Sequence, residues 1–293
     1  MRYRPLGKAG MAVSALTLRL KGDICRGDPD AWVGVVHGAM EQGVNSFEVS
    51  RPTPALIEGL GAAAQAVERR LFFVSLRLAS EQGPDAIFAE AERMLAGTGL
   101  GFLDLVVADA DHDLHNDAVW MLEDLRATGK TKRIGVAGQT DKVDQHLNGT
   151  FDVLLAPFNI LSGWRERLRV RNAVERSMSV IGDNYFPDDA RTLAEPQPVK
   201  RRWFSKPAYP LAGLGAYNFL HTTHAWNPEE ICLGFALTEP ALASVAIDFD
   251  GMKHLEALAA VTERDLPAAV AAQIEMARFS AERASGTERR RSA

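Results

Sequence analysis

The fold is decided by a stretch that runs from LDLVVAD (103–109) through HNDAVWMLEDLRATGK (115–130) to RIGVAG (133–138). The outer segments are short and rich in β-forming residues, which is typical of buried strands. The middle segment is longer and carries apolar residues at helical spacing. A strand, a helix and a further strand in succession predict one unit of a parallel sheet.

The same alternation extends over most of the chain. Strands are predicted at 13–20, 44–49, 70–78, 103–109, 133–138, 151–159, 178–184 and 242–249. Helices are predicted at 29–43, 54–70, 84–99, 115–130, 139–149, 165–177, 227–240, 251–263 and 267–280. Eight such repeats predict an α/β protein of the (β/α)8 TIM-barrel class. A doubly wound sheet is disfavoured because no GxGxxG follows the first strand.

Composition excludes several classes of protein. The chain has 293 residues, of which 46% are hydrophobic and 24% charged, and this excludes a fibre or a disordered chain. A net charge of −5 argues against nucleic-acid binding. No apolar run is long enough for a spanning helix, so no membrane contact is predicted. The two cysteines form no disulfide framework, and the default location is the cytoplasm.

Two segments interrupt the alternation. The connection 186–226, after the seventh strand, is long and rich in proline and aromatic residues, and such loops are usually functional or disordered. The polar segment 281–293 has no apolar periodicity and is predicted to be a disordered tail. We therefore predict a single barrel domain over 1–280.

Several blocks together resemble the aldo-keto reductase family. They are YRPLGKAGMAVSALTL (3–18), GVNSFEVSRPTPALIEGLGAA (43–63), GLGFLDLVVAD (99–109), LRATGKTKRIGVAG (125–138), FDVLLAPFNIL (151–161) and NPEEICLGFALTEPALASVAI (227–247). The resemblance covers roughly 1–280. It implies a barrel whose bottom is covered by an N-terminal β-hairpin. It also implies an oxidoreductase that reduces carbonyl groups with NADP(H).

The resemblance places the family's catalytic Asp, Tyr, Lys and His on Glu48, Thr53, Arg77 and Asp109. None of the four residue types is retained. An alkyl hydroxyl is a far poorer proton donor than a phenol, and an arginine does not deprotonate in a protein. Glu48 and Arg77 could still form the ion pair of the family's Asp and Lys. A carboxylate at Asp109 would repel a developing oxyanion.

The positions that the resemblance assigns to the cofactor are also altered. The ring-stacking aromatic falls near Asp183, with Tyr185 two residues further on, and Asn159 matches the asparagine of the sixth strand. In the loop after the eighth strand, Asp248 and Asp250 would oppose a phosphate. NADP(H) is therefore implied by the family but disfavoured by these residues.

Further candidate ligand contacts come from position alone. Trp164 and Arg165 follow the sixth strand and could line the cleft. Arg201 lies in a basic and aromatic run of the long loop, which could cover the barrel mouth and contact an anion. The Asp- and His-rich run 109–117 is better explained by helix capping than by a metal, so no metal site is predicted.

Three functions remain open from the sequence. The first is a pseudoenzyme that has lost ordinary carbonyl reduction and binds a small polar ligand, or performs non-redox chemistry, at the barrel mouth. The second is an NAD(P)H-dependent oxidoreductase whose proton donor has moved to Tyr185 or Tyr209. The third is a non-catalytic protein that docks a protein partner through 186–226.

Overall fold

A short antiparallel hairpin precedes the main sheet. It consists of β1 (Tyr3–Leu6) and β2 (Met11–Ser14). The computed structural model describes residues 1–7, 11–22, 24–25, 27–79, 83–111, 114–194 and 217–291. In this part of the chain no helix is long and apolar enough to cross a membrane.

Eight parallel strands follow the hairpin and close into a barrel in the order β10-β3-β4-β5-β6-β7-β8-β9. Their bounds are β3 Leu16–Lys21, β4 Ser46–Ser50, β5 Phe73–Arg77, β6 Leu105–Asp109, β7 Ile134–Ala137, β8 Val153–Pro157, β9 Ser179–Asp183 and β10 Leu242–Ile247. The pairing of β10 with β3 closes the sheet. The predicted (β/α)8 class is confirmed.

Helices occupy the connections between the strands. They are α1 Pro29–Glu41, α2 Pro54–Gln65, α3 Pro84–Thr98, α4 Asn116–Ala127, α5 Trp164–Glu175, α6 Asp188–Ala194, α7 Phe219–Thr222, α8 Pro228–Leu237, α9 Met252–Val261 and α10 Ala268–Arg291. The predicted helix at 139–149 is a 3-10 helix over Asp141–His146. The long connection after β9 contains α6 and α7, and its residues 195–216 lie outside the described part of the chain.

The segment 13–20, predicted as one strand, belongs to two. Its first residues end β2 and the rest form β3, with a bend at Ala15. The Ala15 N–H donates to the Arg2 carbonyl, while the Ala15 carbonyl accepts from the Val245 N–H. The run is β-forming throughout, so only the change of pairing partner at Ala15 shows where one strand ends.

At the C-terminus, α10 extends to Arg291. The disorder of 281–293 and the single barrel domain over 1–280 stay predictions. Alanine, glutamate and arginine are good helix formers, so a polar segment without apolar periodicity can still extend a helix.

Alternation along the strands separates two buried clusters. Leu16, Leu18 and Leu20 of β3 pack outward against α1, in a cluster that contains Trp32 and Val36. The residues between them point into the barrel, because successive side chains of a strand face opposite sides. The barrel interior forms its own apolar cluster, made of Phe73, Leu105, Val107, Ala137, Val153, Leu155, Ile181, Ala243 and Ala246.

The hairpin closes the bottom of the barrel. Leu6 and Val13 belong to the interior cluster and are 0% and 1% exposed. Asn45 ties the hairpin to β4, since its Oδ1 accepts from the Ser14 N–H at 2.7 Å. The predicted covering hairpin is therefore confirmed, and the opposite end of the barrel remains for a ligand.

Helix packing around the barrel depends on glycine at one close approach. A Cβ at Gly59 of α2 would lie 2.4 Å from the Pro29 carbonyl oxygen and 2.5 Å from the Trp32 Cβ. Gly34 of α1 has nothing within 4 Å of the same added atom. The two glycines occupy helix interiors but differ in the space around them.

We expect Gly59→Ala to destabilise the protein by about 1–3 kcal/mol, because the added methyl overpacks the contact between α1 and α2. Gly34→Ala is the matched control, and it should stabilise by up to about 1 kcal/mol through helix propensity alone. Urea unfolding of both variants measures the difference. Equal effects of the two substitutions would contradict the close approach.

Candidate functional site

The polar residues of the barrel interior lie on one side. In the middle of the barrel, the Thr17 Oγ1 lies 2.8 Å from the Ser46 Oγ and 2.7 Å from the Ser244 Oγ. These hydroxyls come from β3, β4 and β10, which are neighbours in the sheet. On β3 and β4 the next inward residues toward the C-terminal ends, Arg19 and Glu48, are charged, whereas Ala246 of β10 is apolar. The alternation of β3 and β4 therefore directs charged groups toward the barrel mouth.

Four buried ionised side chains form a network at this mouth, defined here as the ion network: Arg19, Glu48, Arg77 and Asp183. The Arg19 Nε donates to the Glu48 Oε1 at 2.6 Å, and its Nη2 donates to the Asp183 Oδ1 at 2.7 Å. The Arg77 Nη1 donates to the Asp183 Oδ2 at 2.7 Å and lies 3.9 Å from the Glu48 Oε1. Two cations therefore face two anions.

Burial and pairing act against each other in the ion network. Burial by itself would raise the pKa of Asp183, but the charges of Arg19 and Arg77 and their hydrogen bonds hold that pKa well below its usual range. Burial would likewise lower the pKa of Arg19, yet Glu48, Asp183 and the neighbouring Asp248 raise it. The pairing wins for both groups, so they stay ionised at neutral pH.

Asp248 extends the network toward solvent. Its Oδ1 lies 2.8 Å from the Lys21 Nζ, and its Oδ2 lies 3.5 Å from the Arg19 Nη1. Asp248 follows β10, and both cations belong to β3, the adjacent strand in the closed barrel. The carboxylate is thus engaged with two cations rather than left facing the cleft alone.

Among the described residues, two cavities that open at the mouth share the Arg19 and Arg77 side chains. One has a volume of about 450 Å³ and is lined, among others, by Asp183, Tyr185, Asp188, Arg191 and Asp248. The other has a volume of about 480 Å³ and is lined, among others, by Lys21, Ser50, Arg51, Leu78 and Glu90. Both volumes are in the range of small-molecule sites.

The backbone is strained beside both cavities. Arg51 follows β4 with φ of 52°, and Asn184 follows β9 with φ of 48°. Asn184 is held in place, because its N–H donates to the Asp183 Oδ1 and its carbonyl accepts from the Asn159 Nδ2. Non-glycine residues with left-handed backbone angles persist only where the surrounding structure holds them, and they concentrate at functional sites.

Two residues predicted for the catalytic positions have structural roles. Thr53 caps α2, since its Oγ1 accepts from the Leu56 N–H at 3.3 Å. Asp109 ends β6, and its Oδ1 accepts from the Asp111 N–H at 2.8 Å. The other two, Glu48 and Arg77, do come together in the ion network. Their 3.9 Å contact is longer than the contacts that each makes with its main partner.

The predicted ligand contacts fall into four groups. Asp183 and Tyr185 line the first cavity. Asn159 is buried, and its side chain joins two loops by bonding the Asn184 carbonyl and the Leu161 N–H. Arg201 lies outside the described residues.

Trp164 and Arg165 lie away from both cavities. Trp164 is 61% exposed at the first position of α5. The Arg165 Nη1 pairs with the exposed Asp141 at 3.2 Å. Position after a strand places α5 near the mouth, but the helical phase turns these two side chains outward.

Tyr185 belongs to a chain of polar groups that leads to the surface. Its hydroxyl donates to the Glu229 Oε1 at 2.6 Å, and the Glu229 Oε2 lies 3.2 Å from the His254 Nε2. The His254 Nδ1 lies 3.0 Å from the exposed Asp250. Burial and then the charge of Glu229 raise the pKa of Tyr185. The phenol is therefore protonated, with its proton directed at Glu229.

Sequence reasoning missed Arg19, Lys21 and Arg51. A signal for the first two is present in LTLRLK (16–21), where every second residue of an otherwise leucine-rich strand is polar or charged. Within the described ranges, no group of three or more His, Cys, Asp or Glu side chains could hold a metal ion.

Fold and site together define a (β/α)8 barrel with a charged pocket at the C-terminal ends of its strands, the face that carries the active sites of such barrels. The chain belongs to the aldo/keto reductase family, since that family's sequence model matches residues 28–278.

Solved structures show the same fold. Aldo-keto reductase AKR11C1 from Bacillus halodurans in its holo form is similar, with a TM-score of 0.74 and 16% identity over 94% of this chain and 96% of that chain. Its apo form gives a TM-score of 0.73 with the same identity and coverage. No curated protein matches the chain. At this identity, the structural likeness establishes the fold alone.

We expect Glu48→Gln to destabilise the protein by about 1.5–3 kcal/mol, because it removes the charge that accepts from the Arg19 Nε and leaves Asp183 and Asp248 as the carboxylates that face Arg19. Glu48 is 1% exposed. Glu68→Gln is the matched control in an exposed pair with Arg70, where the expected effect is about 0–1 kcal/mol. Guanidinium unfolding compares the two, and similar small effects would show that the ion network contributes little.

We expect acid to narrow the stability difference between the wild type and Asp183→Asn. The depressed pKa of Asp183 contributes stability that is complete above the unfolded-state pKa of about 3.9 and is lost as the pH falls below it. The variant lacks this contribution at every pH. Urea unfolding from about pH 6 to about pH 3 tests the sign. A difference that stays constant or widens would contradict it.

Proposed function

We propose that this chain binds a small polar ligand at the barrel mouth and does not perform ordinary NADPH-dependent carbonyl reduction. The observation that carries the proposal is the ion network, which fills the C-terminal end of the barrel with paired charges. The two cavities beside it supply the space for a ligand. In this proposal the protein is a pseudoenzyme with respect to the chemistry of its family.

The first argument concerns the proton donor. Carbonyl reduction needs an acidic group beside the carbonyl oxygen as hydride arrives. The family resemblance assigns that role to position 53, where the Thr53 hydroxyl caps α2. A capping hydroxyl is a weak acid and is already engaged with the helix. It cannot replace a phenol whose pKa is lowered by a neighbouring lysine.

The second argument concerns charge. The resemblance assigns the lysine and histidine roles to Arg77 and Asp109. Arg77 already donates to Asp183 rather than supporting a phenol. The Asp109 carboxylate adds negative charge where negative charge would develop on the substrate oxygen, and such charge needs donors for stabilisation.

The third argument concerns the nicotinamide cofactor, whose family positions do not fit it here. Near the position of the ring-stacking aromatic, the Asp183 carboxylate lies at the centre of the ion network. In the loop after β10, Asp248 and the exposed Asp250 present carboxylates where the family binds phosphate. Lys21, which lies on the adjacent strand β3, is already paired with Asp248 of this loop. We therefore propose that NADP(H) is not the ligand.

A relocated proton donor is the weaker alternative. The Tyr185 hydroxyl donates to Glu229, and its raised pKa makes it a poorer acid. Tyr209 lies outside the described residues. Partner docking through 186–226 and a cytoplasmic location stay predictions, and no contact of the described residues bears on them.

A fluorescence titration with NADPH, paired with an aldehyde-reduction assay, tests the proposal. We expect no saturable binding up to about 1 mM and turnover far below about 1 s⁻¹, the lower end of ordinary enzymes. Tyr185→Phe is the informative variant, because it should change neither result. Saturable binding with reduction that Tyr185→Phe abolishes would favour the relocated donor and overturn the proposal.

The positive part of the proposal is tested by thermal unfolding in the presence of a panel of small polar compounds. A ligand that binds the native state raises the melting temperature by mass action. We expect at least one compound to do so in the wild type and to lose its effect in Arg77→Met. A panel without any shift would contradict ligand binding at the mouth.

A further inference from the structure

The cavity beside β3, β4 and β5 is lined by more positive than negative side chains. Among the residues that the structure describes, its charged lining consists of Arg19, Lys21, Arg51, Arg77 and one carboxylate, that of Glu90. The carboxylates that pair with Lys21 and Arg77, Asp248 and Asp183, line the neighbouring cavity instead. Arg19 and Arg77 therefore line both cavities, whereas Asp183 and Asp248, which pair with them, line only the neighbouring one.

Two of these cations have donor groups to spare. The Arg77 Nη1 carries a hydrogen bond to Asp183, while its Nε and Nη2 carry none to the described residues. Arg51 makes no ion pair or side-chain hydrogen bond within the same residues. Glu90 lies 3.9 Å from the Arg93 Nη2 and is thus shared with a cation that does not line the cavity.

The backbone of Arg51, beside this cavity, is strained. Its φ of 52° is left-handed, and it precedes Pro52, where extended backbone is usual. The loop is pressed against Gly22, where an added Cβ would lie 2.6 Å from the Arg51 carbonyl oxygen. The Arg93 Nη1 also donates to the Pro52 carbonyl at 3.2 Å. A strained arginine that has no partner among the described residues, at the edge of a cationic cavity, is a functional candidate.

We propose that this cavity binds a small organic anion through a carboxylate or phosphate group, with Arg51 and Arg77 as its principal ligands. The planar guanidinium presents paired N–H groups that match either oxyanion. Carboxylate and phosphate share this chemistry, and the volume of about 480 Å³ leaves room for a metabolite-sized body. The inference rests on the proposed function, because it names the class of ligand that the mouth takes.

Calorimetric titration of the full chain with malonate, inorganic phosphate and the neutral malonamide tests the proposal. We expect malonate or phosphate to bind at low salt and to weaken as the ionic strength rises, and malonamide not to bind. The stronger of the two anions identifies the group that the site prefers. Absence of binding by both anions, or equal binding of malonamide, would overturn the proposal.

Arg51→Asn is the decisive variant, because asparagine tolerates left-handed backbone and the charge is removed without new strain. We expect it to weaken anion binding roughly tenfold or more, the loss of one charged hydrogen-bonding partner. Arg70→Asn is the matched control, since Arg70 is exposed before β5, at the opposite end of the barrel. Equal binding by the two variants would overturn the proposal.

The two proposals fail separately. NADPH binding with carbonyl reduction would overturn the proposed loss of reductase function. The effect of Arg51→Asn on malonate or phosphate binding, measured by calorimetry, would still decide the anion site. Loss of folding in Arg51→Asn is checked by its melting temperature. If it unfolds, Arg51→Gly takes its place, since glycine adopts this backbone freely.

Discussion

Four ionised side chains can stay buried at the mouth of this barrel only because each guanidinium faces a carboxylate. Desolvation of a single buried charge would shift its pKa or destabilise the fold by several kcal/mol. Arg19 meets both carboxylates of the ion network, and Asp183 meets both guanidinium groups. The ends of β3, β4, β5 and β9 are thereby held in one arrangement. The shape of both cavities depends on these pairs, since Arg19 and Arg77 line each of them.

The same pairing directs what the mouth can bind. Charges that neutralise one another beneath a cavity do not attract a ligand, but donors left over from the pairing do. Arg51 and Arg77, whose Nε and Nη2 bond no described residue, line the cavity beside β3, β4 and β5, whereas Asp183, Asp188 and Asp248 line its neighbour. This arrangement supplies neither the phenol nor the hydride donor that carbonyl reduction in the family needs. It does supply the guanidinium groups that recognition of a small anion needs.

Most of the fold was predictable from the sequence, and about half of the site was. The alternation of strands and helices predicted the barrel because each segment shows its own period locally. Glu48, Arg77, Asp183 and Tyr185 were identified through the resemblance to the family, which places its site at the C-terminal ends of the barrel strands. Thr53 and Trp164 show where position alone misleads. The Thr53 hydroxyl is engaged in capping α2, and the helical phase of α5 turns Trp164 to solvent.

By itself, the sequence determined which residues lie on strands, which face of each strand is inward, and the family to which the blocks are similar. These properties are local, because they follow from the spacing of apolar and polar residues within a few positions. Only the tertiary structure decided which charged side chains pair with one another. Arg19 and Asp183 are 164 residues apart, and Arg77 and Asp183 are 106 apart, yet both pairs close at 2.7 Å. Barrel closure brings β3 beside β10 and only two strands away from β9, and no local pattern encodes which charges then meet.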